Sequence, residues 1–217
     1  MTRRPTRRSL YLLPFLPVLF LIACTAPGSS SYSSGNDMSS RQQQVLRGRA
    51  LVLDHGCADC HSMGVPSPLD RGFLAGTTDS AQFQVGPFKT RARNLTPDNA
   101  TGMGRFSDRQ IFNALRYGLR PGETPDVAIT SSTPGEGNFP ARPRYLAPPM
   151  PWIAFRHMPD EQLWAIAAYL KDGLKPVSHR VADSEGPPDF WASEWTVEKM
   201  GPHPAPAFPA AAEKGGR

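Results

Sequence analysis

The chain has 217 residues, with 24 basic residues against 19 acidic ones, a formal charge of +5. Residues 1–23 hold four of the basic residues and none of the acidic ones, which leaves 20 against 19, a formal charge of +1. So balanced a remainder gives no support to nucleic-acid binding, and no such partner is expected.

Arg3, Arg4, Arg7 and Arg8 precede an apolar run from Leu10 to Ala23, the layout of an export signal. The run contains Pro14 and Pro17 and is short for a transmembrane helix, which needs about 20 apolar residues. A cleaved signal over residues 1–23 is therefore expected. Leu21-Ile22-Ala23-Cys24 is similar to a bacterial lipobox, which makes Cys24 a lipidation site; the alternative is an ordinary small-residue cleavage site with a fortuitous cysteine. Several acyl chains on Cys24 would hold the protein to a membrane, where one chain binds only marginally. Residues 24–40 are rich in Ser, Gly and Pro and read as a lipidated N-terminus followed by a flexible linker.

A first helix is expected from Ser40 or Arg41 to about Asp54, with Gly48 marking a close helix crossing and Gly56 ending the segment. Then comes Cys57-Ala58-Asp59-Cys60-His61. The C-x-x-C-H spacing is the covalent attachment signature of a c-type haem: two thiols within one turn can each add to a vinyl group, while the adjacent imidazole reaches the iron. A structural zinc site would need about four Cys or His ligands, and no second cysteine pair exists. A thioredoxin-like pair would need βαβ units that the downstream sequence does not supply, and it leaves His61 without a role. Two buried structural cysteines explain neither spacing nor histidine. With Cys24 lipidated and Cys57 and Cys60 on the haem, no thiol is left over, which suits an oxidising compartment.

Residues 62–106 are loop-rich, with short apolar anchors such as Phe73-Leu74-Ala75 between turn residues. A second helix is marked by a Ser107–Gln110 capping box, an apolar face of Ile111, Ala114 and Leu115, and a closing Gly118. Residues 121–149 read as a long loop, functional or partly disordered. A last helix is expected from Pro159 as its first residue, with Leu163, Ile166, Ala167 and Leu170 on one face and Tyr169 packing over Gly48; Gly173 and Pro176 stop it. Residues 178–217 show no period. Phe190, Trp191 and Trp195 in that tail either cover the domain's own surface or form a docking patch, the former being favoured because aromatic side chains usually bury.

His61 is the expected proximal iron ligand, its second ring nitrogen donating to a backbone carbonyl of the following loop. For the other face, Met63 is too near, Met103 lies between glycines in a turn, and Met200 lies in the tail. Met150, held by Pro148, Pro149 and Pro151, is the preferred thioether, with Met158 second and core packing as the ordinary alternative for a methionine. Arg91, Arg93, Asn94 and Trp152 are candidate contacts for the haem propionates, although solvated arginines explain the first two equally well.

Taken together, the Cys57–His61 motif, Asn94-Leu95-Thr96-Pro97-Asp98, Thr101-Gly102-Met103-Gly104, Met150-Pro151-Trp152 and Ala165–Leu170 resemble class I monohaem cytochrome c, in the form of the haem modules of cytochrome subunits of periplasmic dehydrogenases. The resemblance covers residues 41–177. It implies an all-α fold of about three to five helices wrapped around one covalent haem c, with His61 and Met150 as axial ligands. It also implies an electron carrier rather than an enzyme, facing the periplasm and exchanging single electrons with a dehydrogenase, a terminal oxidase or another cytochrome. Two rival readings are a haem enzyme or gas-binding module with an open distal iron, and a subunit docked permanently on a dehydrogenase through its tail aromatics.

Overall fold

The computed structural model describes residues 39–201, 209 and 211–214. The signal, Cys24 and most of the linker lie outside the described residues.

Helix α1 (Ser40–Asp54) starts at a capping box in which the Ser39 hydroxyl accepts from Gln42 N–H at 3.2 Å and the Gln42 side chain accepts from Ser39 N–H at 2.7 Å. His55 caps its end, and Gly56, with φ of 61°, turns the chain left-handed into the short helix α2 (Cys57–His61). After a loop, a hairpin of β1 (Phe83–Val85) and β2 (Phe88–Thr90) pairs antiparallel, with Val85 opposite Phe88 across Gly86-Pro87. It is the only sheet among the described residues. Its alternation was too short to stand out from the surrounding loop, and it qualifies the all-α expectation without displacing a helix-dominated fold.

Helix α3 (Asp108–Tyr117) has the expected capping box and ends on Gly118 at φ of 68°. A Cβ on Gly118 would overlap the Trp152 indole, so both conformation and space demand glycine there. Two short elements escaped the sequence reading: α4 (Trp152–Phe155) and α6 (Val197–Met200). Helix α5 (Asp160–Ala168) takes Pro159 as its N-cap, so it starts one residue later than expected, and runs on as a π-helical turn, Tyr169–Gly173.

α5 packs across α1 at Gly48. A Cβ there would overlap the Ala165 carbonyl and lie 2.8 Å from the Tyr169 Cβ, so the backbones meet with no room for a side chain. Tyr169 over Gly48 is as expected; Ala165 is the closer neighbour. Arg116 ties α3 to the α4–α5 link by donating to the carbonyls of Arg156 and Met158 and to the Asp160 carboxylate.

Two apolar clusters result. The first gathers residues of α1, α3 and α5, among them Val52, Ile111, Leu115, Leu163 and Ile166. The second joins Phe88, Leu119, Phe139, Tyr145, Trp152 and Trp191, drawn from the hairpin, the 119–152 segment and the tail. Residues 121–149 are therefore ordered around their own core. Trp191 is buried and Trp195 packs on the same cluster, so these two indoles cover the domain's own surface, while Phe190 stays half exposed. No helix of the described residues is long and apolar enough to cross a membrane.

Candidate functional site

α2 presents its three motif side chains to one cavity. Its volume is about 570 Å³, within the range of sites that enclose an organic ligand. Cys57, Cys60 and His61 line it together with Ile111, Ala114 and Leu115 of α3, Ile166 and Leu170 of the last helix, and Phe88 of β2. The face of α3 that the sequence made apolar is thus the face that encloses the site.

His61 is fixed in both place and tautomer. Its Nδ1 lies 2.7 Å from the Arg93 carbonyl oxygen, which can only accept, so Nδ1 carries the proton and Nε2 keeps a free lone pair. Burial holds the imidazole below its ordinary pKa, against a smaller opposing pull from that carbonyl. A neutral imidazole with an oriented lone pair is what a metal ligand requires. The His61 carbonyl in turn accepts from Gly76 N–H at 2.8 Å, which holds the loop that follows. Next to it Leu74, fully buried, is left-handed at φ of 57°; its N–H donates to the Ser62 hydroxyl at 3.0 Å and its carbonyl accepts from Leu95 N–H at 2.8 Å. These bonds over-determine the strained residue and lock the His61 loop to the 92–95 segment.

Cys57 and Cys60 are both free and half-buried. Burial pushes the Cys57 thiol up to about 11, so it is uncharged at neutral pH. Among the described residues no group of three or more Cys, His, Asp or Glu could hold a metal ion.

Two methionines line the cavity: Met150, the expected ligand, and Met103, whose glycine-flanked turn argues against ligation. Met158 is buried in the first cluster but is not part of the cavity wall, and neither are Met63 and Met200. The Met103 turn is pinned by Lys171, whose Nζ donates to the carbonyls of Gly104 at 2.8 Å and Phe106 at 2.6 Å. Lys171 sits on the π-helical turn, so that irregularity serves the cavity wall.

Of the four residues suggested for propionates, Arg91, Arg93 and Asn94 line the cavity and Trp152 does not, being buried beside Tyr145 in the second cluster. The Asn94 amide, at 1% exposure, is committed to protein: Nδ2 donates to Val177 O at 2.8 Å and Thr101 Oγ1 at 3.0 Å, and Oδ1 accepts from Thr96 N–H at 2.9 Å. Arg91 donates to Asp79 O and Asp183 O, both at 3.0 Å, and pairs with Glu185. Sequence reasoning missed Arg105, Arg120, Arg180, Val181 and Ser184 in the wall, because long-range folding alone brings them there.

A cavity with two thiols, an oriented imidazole and a thioether in its wall has the donors of a covalently held metal macrocycle. The chain is similar to cytochrome c subunits of bacterial dehydrogenases. It is 27% identical over 160 residues to the gluconate 2-dehydrogenase cytochrome c subunit of Pantoea cypripedii, covering 74% of this chain and 30% of that one. It is 28% identical over 139 residues to the fructose dehydrogenase cytochrome subunit of Gluconobacter japonicus, covering 64% and 23%. It is 31% identical over 136 residues to the alcohol dehydrogenase (quinone) cytochrome c subunit of Gluconacetobacter polyoxogenes, covering 62% and 23%. The chain spans less than a third of the length of each of these relatives, so the likeness is that of a cytochrome c-like module. No family model matches the chain.

Proposed function

We propose that this chain is a periplasm-facing, membrane-tethered monohaem cytochrome c that passes single electrons, with a dehydrogenase as its partner. The observation that carries the reading is the convergence of Cys57, Cys60, His61 and Met150 on one largely apolar cavity, with His61 Nε2 left free by the Arg93 bond. The residues fit the group. Cys57 and Cys60 would hold it through thioether bonds, His61 Nε2 and the Met150 sulfur would take the two axial positions, and Arg91 and Arg93 put positive charge in the wall for its carboxylates. Bound there, a c-type haem supplies a one-electron Fe(III)/Fe(II) couple.

The chain's own residues set how that couple behaves. The apolar side chains of α3 and the last helix exclude water and disfavour the more charged oxidised state, which raises the potential. A thioether from Met150 would raise it further by favouring the reduced state. Met103 then packs in the wall. Dehydrogenase partnership comes from the names of the relatives, and the tether from the sequence of residues 1–40.

Met150→Ala tests the reading. The haem should stay covalently attached on a denaturing gel, the midpoint potential should fall, and the reduced protein should begin to bind carbon monoxide. An unchanged midpoint with no carbon monoxide binding would transfer the role to another residue, Met103 being next to examine. Carbon monoxide binding by the unmutated protein would favour an open-iron module instead.

A further inference from the structure

The segment after the π-helical turn runs along the cavity. Val177 N–H donates to Thr96 Oγ1 and His179 N–H to Thr101 Oγ1, both at 3.1 Å. His179 Nε2 meets Thr77 O at 3.0 Å, and Lys89 and Glu185 exchange backbone bonds of 2.8 and 2.9 Å. Arg180, Val181, Asp183 and Ser184 of this segment line the cavity.

One residue joins the segment to the motif. The Arg93 carbonyl accepts from His61 Nδ1 at 2.7 Å, while the Arg93 guanidinium donates to Val181 O at 3.1 Å, Ala182 O at 2.9 Å and Ser184 Oγ at 3.1 Å. A planar fork reaching three acceptors fixes its own backbone in a way that a single ammonium cannot. On the other side, Ala92 O is held by Thr77 N–H at 3.1 Å.

We propose that residues 177–185 form an intramolecular strap closing one wall of the cavity, and that Arg93 is the positioning residue through which the strap fixes His61. The role of His61 as a metal ligand rests on the function proposed above; the strap itself does not. With the strap loosened, the Arg93 peptide loses the hold of its guanidinium, the imidazole's acceptor is less firmly fixed, and Arg180, already exposed, becomes open to a protease. It follows that this part of the tail serves the domain's own pocket and is not a free docking arm.

The test compares Arg93→Gln and Arg93→Lys in the full chain. Tryptic cleavage at Arg180 should rise about tenfold or more in both, the cost of losing charge-assisted bonds being read through the open population. The electron paramagnetic resonance signature of the oxidised haem, which reports axial imidazole orientation, should shift in both. If lysine restores both readouts to those of the unmutated protein, the guanidinium acts only as a positive charge and the proposal is overturned. Unchanged cleavage in both variants overturns it equally. Ser184→Ala, which removes one of the three acceptors, should move the same readouts in the same direction by less, and it carries the test if the Arg93 variants fail to fold. A protein that carries no covalent haem defeats the proposed function, while the cleavage comparison still decides the strap.

Discussion

Around the cavity, α1, α3 and α5 bury their apolar faces against one another through close helix contacts such as Gly48 on Ala165. Around Trp152, the second cluster has barely a turn of helix, and arginines set its course: Arg120 donates to Tyr145 O at 2.9 Å and pairs with Asp189 at 3.1 Å, Arg144 pairs with the same Asp189, and Arg156 donates to Met200 O. Helices satisfy their backbone internally and need only a surface to pack on. Irregular segments leave carbonyls and turns to be satisfied from outside, and a multivalent guanidinium does that at long range. A module of this kind can thus keep a helical half for its cofactor and extend the rest by clamps.

The sharpest way to break the first half is Gly48→Ala. The added methyl has nowhere to go, and a loss of about 3 kcal/mol or more is expected, seen as a fall in melting temperature of roughly 6–12 °C. Asp189→Asn attacks the second half alone. It removes the charge shared by Arg120 and Arg144 from a side chain at 14% exposure, at a cost of about 2 kcal/mol. Asparagine tolerates the left-handed φ of 63° at this position, so backbone strain does not confuse the result. Hydrogen exchange should quicken in residues 119–152 while α1 and α5 stay protected; uniform quickening would show that the two clusters unfold as one. The smallest effect is Ser107→Ala, which deletes the α3 capping box, together with the hydroxyl's bond to the Asp126 carboxylate, for about 1 kcal/mol in denaturant unfolding.

The two halves also differ in how far the sequence discloses them. α1, α3 and α5 announce themselves by caps and 3.6-residue spacing, and the crossing at Gly48 follows from a glycine inside a helix. The Cys57–His61 motif and the Met150 region lie where one-dimensional signals are strong. The β-hairpin, α4 and α6 are each three or four residues long, too short for a period to accumulate. The ordering of residues 121–149 rests on partners such as Asp189 and Trp191, dozens of residues away and without any local mark. For the same reason Arg93 could be suggested as a cavity residue from its neighbourhood, but not as the link between His61 and the 177–185 segment. Met103 was set aside for its flanking glycines, yet those glycines let the turn sit tightly: a Cβ on Gly102 would overlap the Thr96 carbonyl.

The crossing of α1 on α5 carries a consequence for biogenesis. Gly48 precedes the cysteine motif by nine residues, whereas its partner Ala165 lies 117 residues further along the chain than Gly48 itself. During synthesis from the N-terminus, the motif emerges long before the helix that will close over it. Contacts of such sequence separation form late, because the loop must be closed before it is rewarded. The interval in which Cys57 and Cys60 remain open to solution is therefore written into the order of the helices, and moving α5 forward by circular permutation should shorten it.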